Sequence, residues 1–389
     1  MKEIYLDNSA TTKISDEALK KYVEISSECY GNPSSLHDYG FRAEKILTEA
    51  RGEVLSSLGA TGSTVIFCGS GSEANNLAII GRAYSKERYK GRAKVIITDS
   101  EHASVSECIS RLEKEGFKVE KIPTRGGKID TGALSEALTP DTVLVSVMMV
   151  NNETGALYDV SEVSKIVKAK ARDAYVHVDA TQSYMKLPFT KSSVGADMIT
   201  VSSHKIEGPK GVGALIIDPR VIKERGLAPT ILGGGQELGL RSGTENVPAI
   251  AAFAEAVRQG SKNLKARYEK TRSLRDYLIK KLDTTPALSE ISVTNPEKSA
   301  PHILNVTLPK IKSETMLHFL SSKGIYVSSG SACSSNSTHH SSSLIAYGRT
   351  KDEADTSIRI SFSHTNELSD VDALTEALSE GLSRLARVR

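Results

Sequence analysis

The strongest constraint on the fold lies between residues 64 and 217, where short apolar runs alternate with helical segments. Residues 142–150 (TVLVSVMMV) form an unbroken apolar run, which is typical of a strand covered on both faces. Residues 175–179 form another strand-length run, and helical periodicity separates the two over 160–171. This alternation predicts an α/β fold with a mostly parallel central sheet and helices on both faces.

Polar residues follow four of the predicted strands directly: His102, Asn152, Asp179 and Lys205. Because ligands of such sheets bind outside the carboxyl ends of the strands, this shared placement predicts one site. Lys205 lies between an apolar run and the Gly-Pro-Lys-Gly turn of residues 208–211, and a lysine amine can form a Schiff base with a carbonyl cofactor. The alternatives are that Lys205 is a solvated loop lysine, that His102 is structural, and that Asp179 is a buried carboxylate with a partner.

A phosphate-binding arrangement is predicted near residue 70. A strand-like run at 64–67 is followed by a Gly/Ser loop at 69–72 and a helical segment at 74–80. The free N–H groups and the positive end of the helix dipole at such a helix start attract an anion. Ser70 and Glu73 also fit a capping box, so a plain capped helix start is the alternative. The stretch matches neither the P-loop nor the dinucleotide fingerprint.

The length and charge of the chain narrow its class. A chain of 389 residues is longer than one hydrophobic core usually accommodates, which indicates two structural units. A long helix predicted from Pro248 could link them. We predict a large domain over 16–259 and a small domain formed by 1–15 with 260–389. The net charge of +3 gives no reason to expect nucleic acid or a membrane as partner. Residues 1–7 lack the apolar region of a signal peptide, so we expect a cytoplasmic protein.

The four cysteines are Cys29, Cys68, Cys108 and Cys333. None lies in a C-x-x-C pair, which argues against a zinc site and fits a reducing compartment. Cys333 follows Ser-Gly-Ser-Ala and precedes the serine-rich run 334–343, which we predict to be a mobile surface loop. The other three cysteines have no such context and are expected to be structural.

A series of motifs, in order along nearly the whole chain, resembles the cysteine desulfurases, which are pyridoxal-phosphate enzymes of the class V aminotransferase group. The motifs are YLDNSATT (5–12), YGNPSSLH (30–37), GSGSEANN (69–76), EHASV (101–105), VNNETG (150–155), VDATQS (178–183), SSHKIEGPKG (202–211), GGGQELGLRSGTEN (233–246), SSGSACSS (328–335) and SIRISF (357–362). The resemblance implies the pyridoxal-phosphate-dependent transferase fold type I with a smaller α+β C-terminal domain.

The resemblance also implies a role for each matched residue around pyridoxal 5'-phosphate. Lys205 would hold the cofactor covalently, Asp179 would pair with the ring nitrogen, and His102 would stack on the ring and assist proton transfer. The remaining cofactor contacts are implied for Asn152 and Gln182 at the ring O3′, for Gly71, Ser72, Ser202 and His204 at the phosphate, and for Thr244 at the phosphate of a neighbouring subunit, so a homodimer is expected.

The implied reaction removes sulfur from L-cysteine and gives L-alanine. Arg359 would bind the substrate carboxylate, together with Asn152, and Cys333 would be the nucleophile that takes the sulfur as a persulfide. Sulfur would then pass to an iron–sulfur scaffold or a tRNA-thiolation protein, the acceptors that go with a long loop after the cysteine. No intrinsic metal is expected, although Cys333 could share an iron–sulfur cluster with a scaffold partner.

Other functions remain open at this point. One is a selenocysteine lyase or another class V enzyme that does not use Cys333, and another is a sulfur-relay or assembly platform that acts mainly by binding partners. The chain departs from the family pattern at Ser70, Glu207, Leu238 and Ser363-His364. These departures remove no catalytic group, but they concern the fine geometry, the dimer contacts and the partner surface.

Overall fold

The structure is a computed structural model, and it describes residues 3–85, 93–329 and 340–385. The strands are β1 (Ile4–Tyr5), β2 (Thr64–Cys68), β3 (Lys94–Thr98), β4 (Lys118–Ile122), β5 (Thr142–Met148), β6 (Tyr175–Asp179), β7 (Met198–Ser202), β8 (Gly213–Ile217), β9 (Ser292–Thr294), β10 (Ile303–Thr307), β11 (Ile325–Tyr326), β12 (Ser328–Ser329) and β13 (Ser357–Ser361).

The helices cover both faces of the large sheet and one side of the smaller one. They are α1 (Asp16–Glu28), α2 (Asp38–Ser57), α3 (Gly71–Ser85), α4 (Ala103–Lys114), α5 (Thr131–Ala137), α6 (Val160–Lys170), α7 (Lys191–Val194), α8 (Pro219–Lys223), α9 (Val247–Thr284), α10 (Ser313–Ser322), α11 (Ser342–Tyr347), α12 (Lys351–Asp355) and α13 (Leu368–Arg384). No helix in the described ranges is long and apolar enough to cross a membrane.

The central sheet has seven strands in the order β2-β8-β7-β6-β5-β3-β4. Strands β6, β7 and β8 are buried at every residue, as expected for strands with helices on both faces. Strand β8 pairs antiparallel with β2 and β7, whereas the other pairings are parallel. The connection between β7 and β8 is too short for the crossover that a parallel strand needs, so the chain turns back. The predicted mostly parallel α/β sheet is confirmed.

A second apolar cluster surrounds a four-stranded antiparallel sheet of order β12-β13-β10-β9. Ile4 and Leu6 belong to this cluster, because β1 pairs with β11 beside the sheet. The long helix α9 contributes its first half to the core of the large sheet and Leu274, Leu278 and Leu282 to the second cluster. The division into domains at 16–259 and at 1–15 with 260–389 stays a prediction.

Two predictions for the C-terminal third were wrong in detail. The sequence from Tyr326 to Ser328 predicts a single strand, but the structure has two short strands, β11 and β12, in different sheets. Part of the expected loop 334–343 is helical, since Ser341 caps α11, which begins at Ser342; residues 334–339 lie outside the described residues. Helix α11 has only six residues, too few to show a periodic apolar pattern in the sequence.

Candidate active site

A cavity of about 240 Å³ lies at the carboxyl ends of β5, β6 and β7 and beside the start of α3. It is lined by most of the residues that the sequence predicted for a site, as expected for the strand ends of an α/β sheet. They are Gly71, Ser72, His102, Asn152, Asp179, Gln182, Ser202, His204, Lys205 and Arg359. Their placement here identifies this cavity as the candidate active site.

Asp179, the last residue of β6, is 5% exposed and holds its carboxylate with two N–H donors. Its Oδ1 accepts from the Thr181 N–H (2.9 Å), and its Oδ2 accepts from the Asn75 side-chain amide (2.8 Å). A buried carboxylate needs such donors to remain charged. Asp179 therefore offers an oriented acceptor to a ring N–H in the cavity.

Lys205 ends a short 3₁₀ turn that follows β7. Its Nζ donates to the backbone carbonyls of Ser9 (2.6 Å) and Ala10 (2.7 Å), so the N-terminal segment fixes the amine at the cavity. Neither Ser9 nor Ala10 was predicted to contact Lys205, although both lie in the YLDNSATT motif. Lys205 is thus a half-buried cavity residue held by two backbone carbonyl groups, rather than a solvated loop lysine.

His102 caps the N-terminus of α4 just beyond β3. Its Nδ1 accepts from the Ser104 N–H (3.1 Å) and lies 2.9 Å from the Ser104 hydroxyl. Burial lowers the pKa of His102, with Lys205 and Arg359 acting in the same direction and Asp179 opposing. The ring is therefore neutral near physiological pH.

The start of α3 and the end of β7 form the end of the cavity suited to an anion. The first N–H groups of a helix have no acceptor within it, and α3 begins at Gly71. A Cβ atom on Gly71 would lie 3.2 Å from the Ser202 Cβ, so a side chain there would narrow the cradle. The buried Ser202 hydroxyl has no hydrogen-bond partner in the described part of the chain. Both features fit a phosphate group.

The predicted capping box at this helix is only half formed. Ser70 Oγ accepts from the Glu73 N–H (3.1 Å), as expected. Glu73 Oε2, however, accepts from the Gly69 N–H (2.8 Å), and its Oε1 accepts from Arg241 (2.8 Å). The Glu73 carboxylate therefore ties the 233–246 segment to the anion-binding end of the cavity.

Arg359, on β13, reaches the cavity from the smaller sheet and is 4% exposed. One guanidinium nitrogen donates to the Asn152 carbonyl (2.9 Å) and another to Asp7 Oδ1 (2.8 Å). The buried Oδ1 of Asn152 has no partner among the described residues. This pair therefore offers both a cation and a polar acceptor to a substrate.

Gln182 and His204 complete the ring of predicted residues. Gln182 Nε2 donates to the Ser9 carbonyl (2.9 Å), and Lys186 donates to Gln182 Oε1 (3.2 Å). Burial lowers the pKa of His204 to about 4, and the positive charges of Lys205, Lys186 and Lys210 add to the shift. His204 is thus a neutral hydrogen-bonding group, with Nδ1 3.1 Å from the Thr11 hydroxyl.

Thr244 does not line the cavity and is exposed on the 233–246 segment. The predicted nucleophile Cys333 lies outside the described residues. Among the other cysteines, burial raises the pKa of the Cys108 thiol to about 11 and raises that of Cys68 further. Neither of these two buried thiols is therefore suited to act as a nucleophile.

The lining residues together fit pyridoxal 5'-phosphate. A lysine amine, a carboxylate acceptor and an anion-binding helix start surround one cavity, and the unpartnered Ser202 hydroxyl and Asn152 amide oxygen remain to be satisfied there. These groups match the aldehyde, the ring nitrogen and the phosphate of that cofactor.

Comparison with known proteins agrees with this arrangement. Residues 4–374 match the family described as aminotransferase class V. The chain belongs to the class V aminotransferase family. It is 38% identical over 383 residues to cysteine desulfurase IscS 1 of Archaeoglobus fulgidus, with 98% of this chain and 97% of that protein covered. It is 34% identical to cysteine desulfurase IscS of Dictyoglomus turgidum, with 100% and 96% covered.

A solved structure extends the similarity to three dimensions. A protein described as NifS-like superposes with a TM-score of 0.91 at 35% sequence identity, covering 99% of this chain and 100% of that one. The predicted fold, that of pyridoxal-phosphate-dependent class V enzymes, is therefore confirmed, as is the family resemblance that the motifs indicated.

Proposed function

We propose that this protein is a pyridoxal-phosphate-dependent cysteine desulfurase, which converts L-cysteine to L-alanine and leaves a persulfide on Cys333. The observation that carries the proposal is the cavity in which Lys205, Asp179, His102 and Arg359 meet. The names of the full-length relatives, cysteine desulfurases in two organisms, support the same reaction.

Different lining residues would contact different parts of the cofactor. Lys205 would bind it covalently, Asp179 would accept from its ring nitrogen, and His102 would stack on the ring. Its phosphate would bind at Gly71, Ser72, Ser202 and His204, and its O3′ at Asn152 and Gln182. When bound, pyridoxal phosphate supplies an electron sink for the substrate Cα.

The substrate would be held and activated by this chain's own groups. The Arg359 guanidinium, fixed by Asp7 and the Asn152 carbonyl, would bind the substrate carboxylate, and the Asn152 amide would contact the substrate. Lys205 would move the proton at Cα, with His102 assisting proton transfer.

Sulfur transfer then needs no outside oxidant. The Cys333 thiolate would attack the substrate sulfur, so that an S–S bond forms while the Cβ–S bond breaks. The bonding electrons stay with the substrate carbon, which takes up a proton and leaves as alanine. The sulfur is thereby oxidised to the persulfide level and Cβ is reduced.

The partners of the reaction are part of the same proposal. We propose a cytoplasmic homodimer in which Thr244 reaches the phosphate bound by the other subunit. The persulfide would pass to an iron–sulfur scaffold or a tRNA-thiolation protein, and Cys333 could share a cluster with such a scaffold. The term IscS in the names of the relatives supports an iron–sulfur role.

The test begins with the absorption spectrum of the purified protein. We expect a visible band from the bound cofactor that changes on adding L-cysteine, and that is lost in Lys205→Ala. Cys333→Ala should keep the band but release no sulfide from L-cysteine. The control Cys29→Ala should keep the band and release sulfide.

Each alternative would give a different result. Unchanged sulfide release by Cys333→Ala would contradict the persulfide mechanism and favour a selenocysteine lyase or another class V enzyme. Complementation of a deletion strain by Lys205→Ala would favour a platform that acts by binding partners. A protein that stays colourless with added pyridoxal phosphate would rule the proposal out.

A further inference from the structure

Asn75, in the second turn of α3, connects two of the site residues although it has been given no role. It is 1% exposed, and its Nδ2 donates both to Asp179 Oδ2 (2.8 Å) and to Ser104 Oγ (2.8 Å). An amide nitrogen carries two hydrogens, so these two bonds use both. Because a carboxylate only accepts, the Asn75 amide must turn its nitrogen towards Asp179, and its orientation is fixed.

The direction of these bonds determines the protonation of His102. The Ser104 backbone N–H donates to His102 Nδ1 (3.1 Å), so this ring nitrogen must be an acceptor. Ser104 Oγ accepts from Asn75 and lies 2.9 Å from the same ring nitrogen, so its single hydrogen points at Nδ1. His102 Nδ1 is therefore an acceptor for two donors, and the neutral ring carries its proton on Nε2.

We propose that Asn75 and Ser104 are positioning residues that tie the Asp179 carboxylate to His102 and hold His102 as the neutral Nε2–H tautomer. This proposal rests on the proposed function, in which Asp179 and His102 contact the cofactor. Held in this way, His102 presents a hydrogen-bond donor to the cavity and is a poor base. The removal of the Cα proton then falls to Lys205, and His102 assists as a hydrogen-bond donor.

The proposal has a consequence for pH. A proton on Nδ1 would leave the Ser104 backbone N–H without its acceptor and would require the Ser104 hydroxyl to turn its hydrogen away, so the network opposes protonation. The charged groups that face the ring act in both directions: Asp179 favours the protonated ring, whereas Lys205 and Arg359 oppose it. Loss of the Ser104 hydroxyl removes one donor to the neutral ring and should make His102 easier to protonate.

The experiment is nitrogen NMR of protein labelled with ¹⁵N-histidine and prepared without cofactor, with His102→Gln to assign the signals. In the wild type we expect Nδ1 to be unprotonated and Nε2 to be protonated. Ser104→Ala should raise the pKa of His102 by about half a unit to one unit, as expected for loss of one hydrogen bond. Ser104→Thr, which restores a hydroxyl, should reverse the shift.

Matched variants separate positioning from a general structural effect. Ser106→Ala, on the same helix, should leave the pKa of His102 unchanged. Asn75→Ala should raise it too, because the Asp179 carboxylate then lacks one of its two donors and attracts the protonated ring more strongly. A proton on Nδ1 in the wild type, or an unchanged pKa in Ser104→Ala, would overturn the proposal. If His102 has the expected tautomer but the protein releases no sulfur from L-cysteine, the result contradicts the proposed function and not the positioning role of Asn75 and Ser104.

Discussion

Glu101 precedes His102 in the chain and is a buried acid close to the cavity, 4% exposed. Its Oε1 accepts from the Met148 N–H (2.9 Å) and from the Thr98 hydroxyl (2.5 Å). Burial raises the pKa of Glu101 to about 8, with repulsion from Asp179 adding to the shift and the two hydrogen bonds opposing it. Glu101 therefore keeps its proton at neutral pH.

We expect Glu101→Gln to stabilise the protein more at pH 8 than at pH 5. An unfolded glutamate loses its proton near pH 4.3, whereas the folded protein keeps it to about pH 8. Between these values the free energy of unfolding of the wild type falls by about 1.4 kcal/mol for each unit that the pH rises. That of Glu101→Gln, whose amide keeps the acceptor oxygen, does not. Urea denaturation at both pH values measures the difference. Exposed Glu107→Gln is the control, and an equal effect at the two pH values would contradict the prediction.

At the level of single residues, strand-end placement predicted four residues that line the cavity but not the groups that hold them. His102, Asn152, Asp179 and Lys205 could be predicted because each follows a strand, and strand ends converge in this fold. Asn75 could not, since it meets Asp179 across 104 positions of sequence, and such a contact leaves no periodic pattern. The Ser9 contact with Lys205 spans 196 positions and was missed for the same reason.

Among the elements, the loop after β7 is the one in which departures from the family pattern come together. Glu207, at a left-handed φ of 68°, pairs with Arg267 of α9 (3.0 Å) and with His364 beyond β13 (3.0 Å). Ser363 Oγ lies 3.5 Å from Glu207 Oε1. These side chains line a small cavity of about 40 Å³ next to Lys205. These departures contact one another and join three elements beside Lys205.

We expect Arg267→Met to lower the free energy of unfolding by about 3 kcal/mol. The Glu207 and Arg267 side chains are only 15% and 16% exposed, and Arg267→Met removes the guanidinium that balances the largely buried Glu207 carboxylate. The double variant with Glu207→Gln should cost less than the sum of the two single variants. Urea denaturation measures this coupling, with the exposed Arg272→Met on the same helix as control.

The same ion pair should respond to acid. Burial raises the pKa of Glu207, but His364 and Arg267 together lower it overall, below its usual value. Its contribution to stability is therefore present above the unfolded pKa of about 4.3 and is lost as the pH falls through the lower folded value. The difference between wild type and Arg267→Met should shrink between about pH 5 and pH 3. A difference that does not depend on pH would contradict this origin.

Prediction of elements succeeded where a pattern is long and failed where an element is short. The helix predicted from Pro248 is α9, and the strand predicted over 175–179 is β6, since both bury a continuous apolar face. Strand β9 and helix α12 were missed, because three to five polar or mixed residues carry too little periodicity. Their formation depends on tertiary partners, such as the pairing of β9 with β10.

At the scale of the whole molecule, an exposed apolar surface remains on the segment 30–41, which leads into α2. Tyr30, Leu36 and Phe41 are 70%, 106% and 71% exposed. The 231–240 loop is tied to α2 through the Arg51–Glu237 ion pair (2.7 Å), and it adds the exposed side chains of Leu232 and Leu238. Surfaces of this kind are unusual in monomers, which supports the homodimer proposed above.

We expect the double variant Leu36→Asp/Phe41→Asp to be monomeric at micromolar concentration while the wild type sediments as a dimer. Charges at the centre of an apolar interface lose their hydration without gaining partners, so association should weaken by several kcal/mol. Sedimentation velocity measures the state. Leu368→Asp, a 45% exposed leucine at the start of α13, is the matched control and should remain dimeric.

The same variant tests whether the subunits share their sites. If Thr244 reaches the phosphate held by the other subunit, the monomer should bind pyridoxal phosphate more weakly than the Leu368→Asp dimer, and Thr244→Ala should weaken binding while leaving the dimer intact. Titration followed by absorbance measures the affinity. A monomer that binds the cofactor as tightly as the dimer would show that each subunit carries a complete site, and a wild type that sediments as a monomer would contradict the proposed assembly.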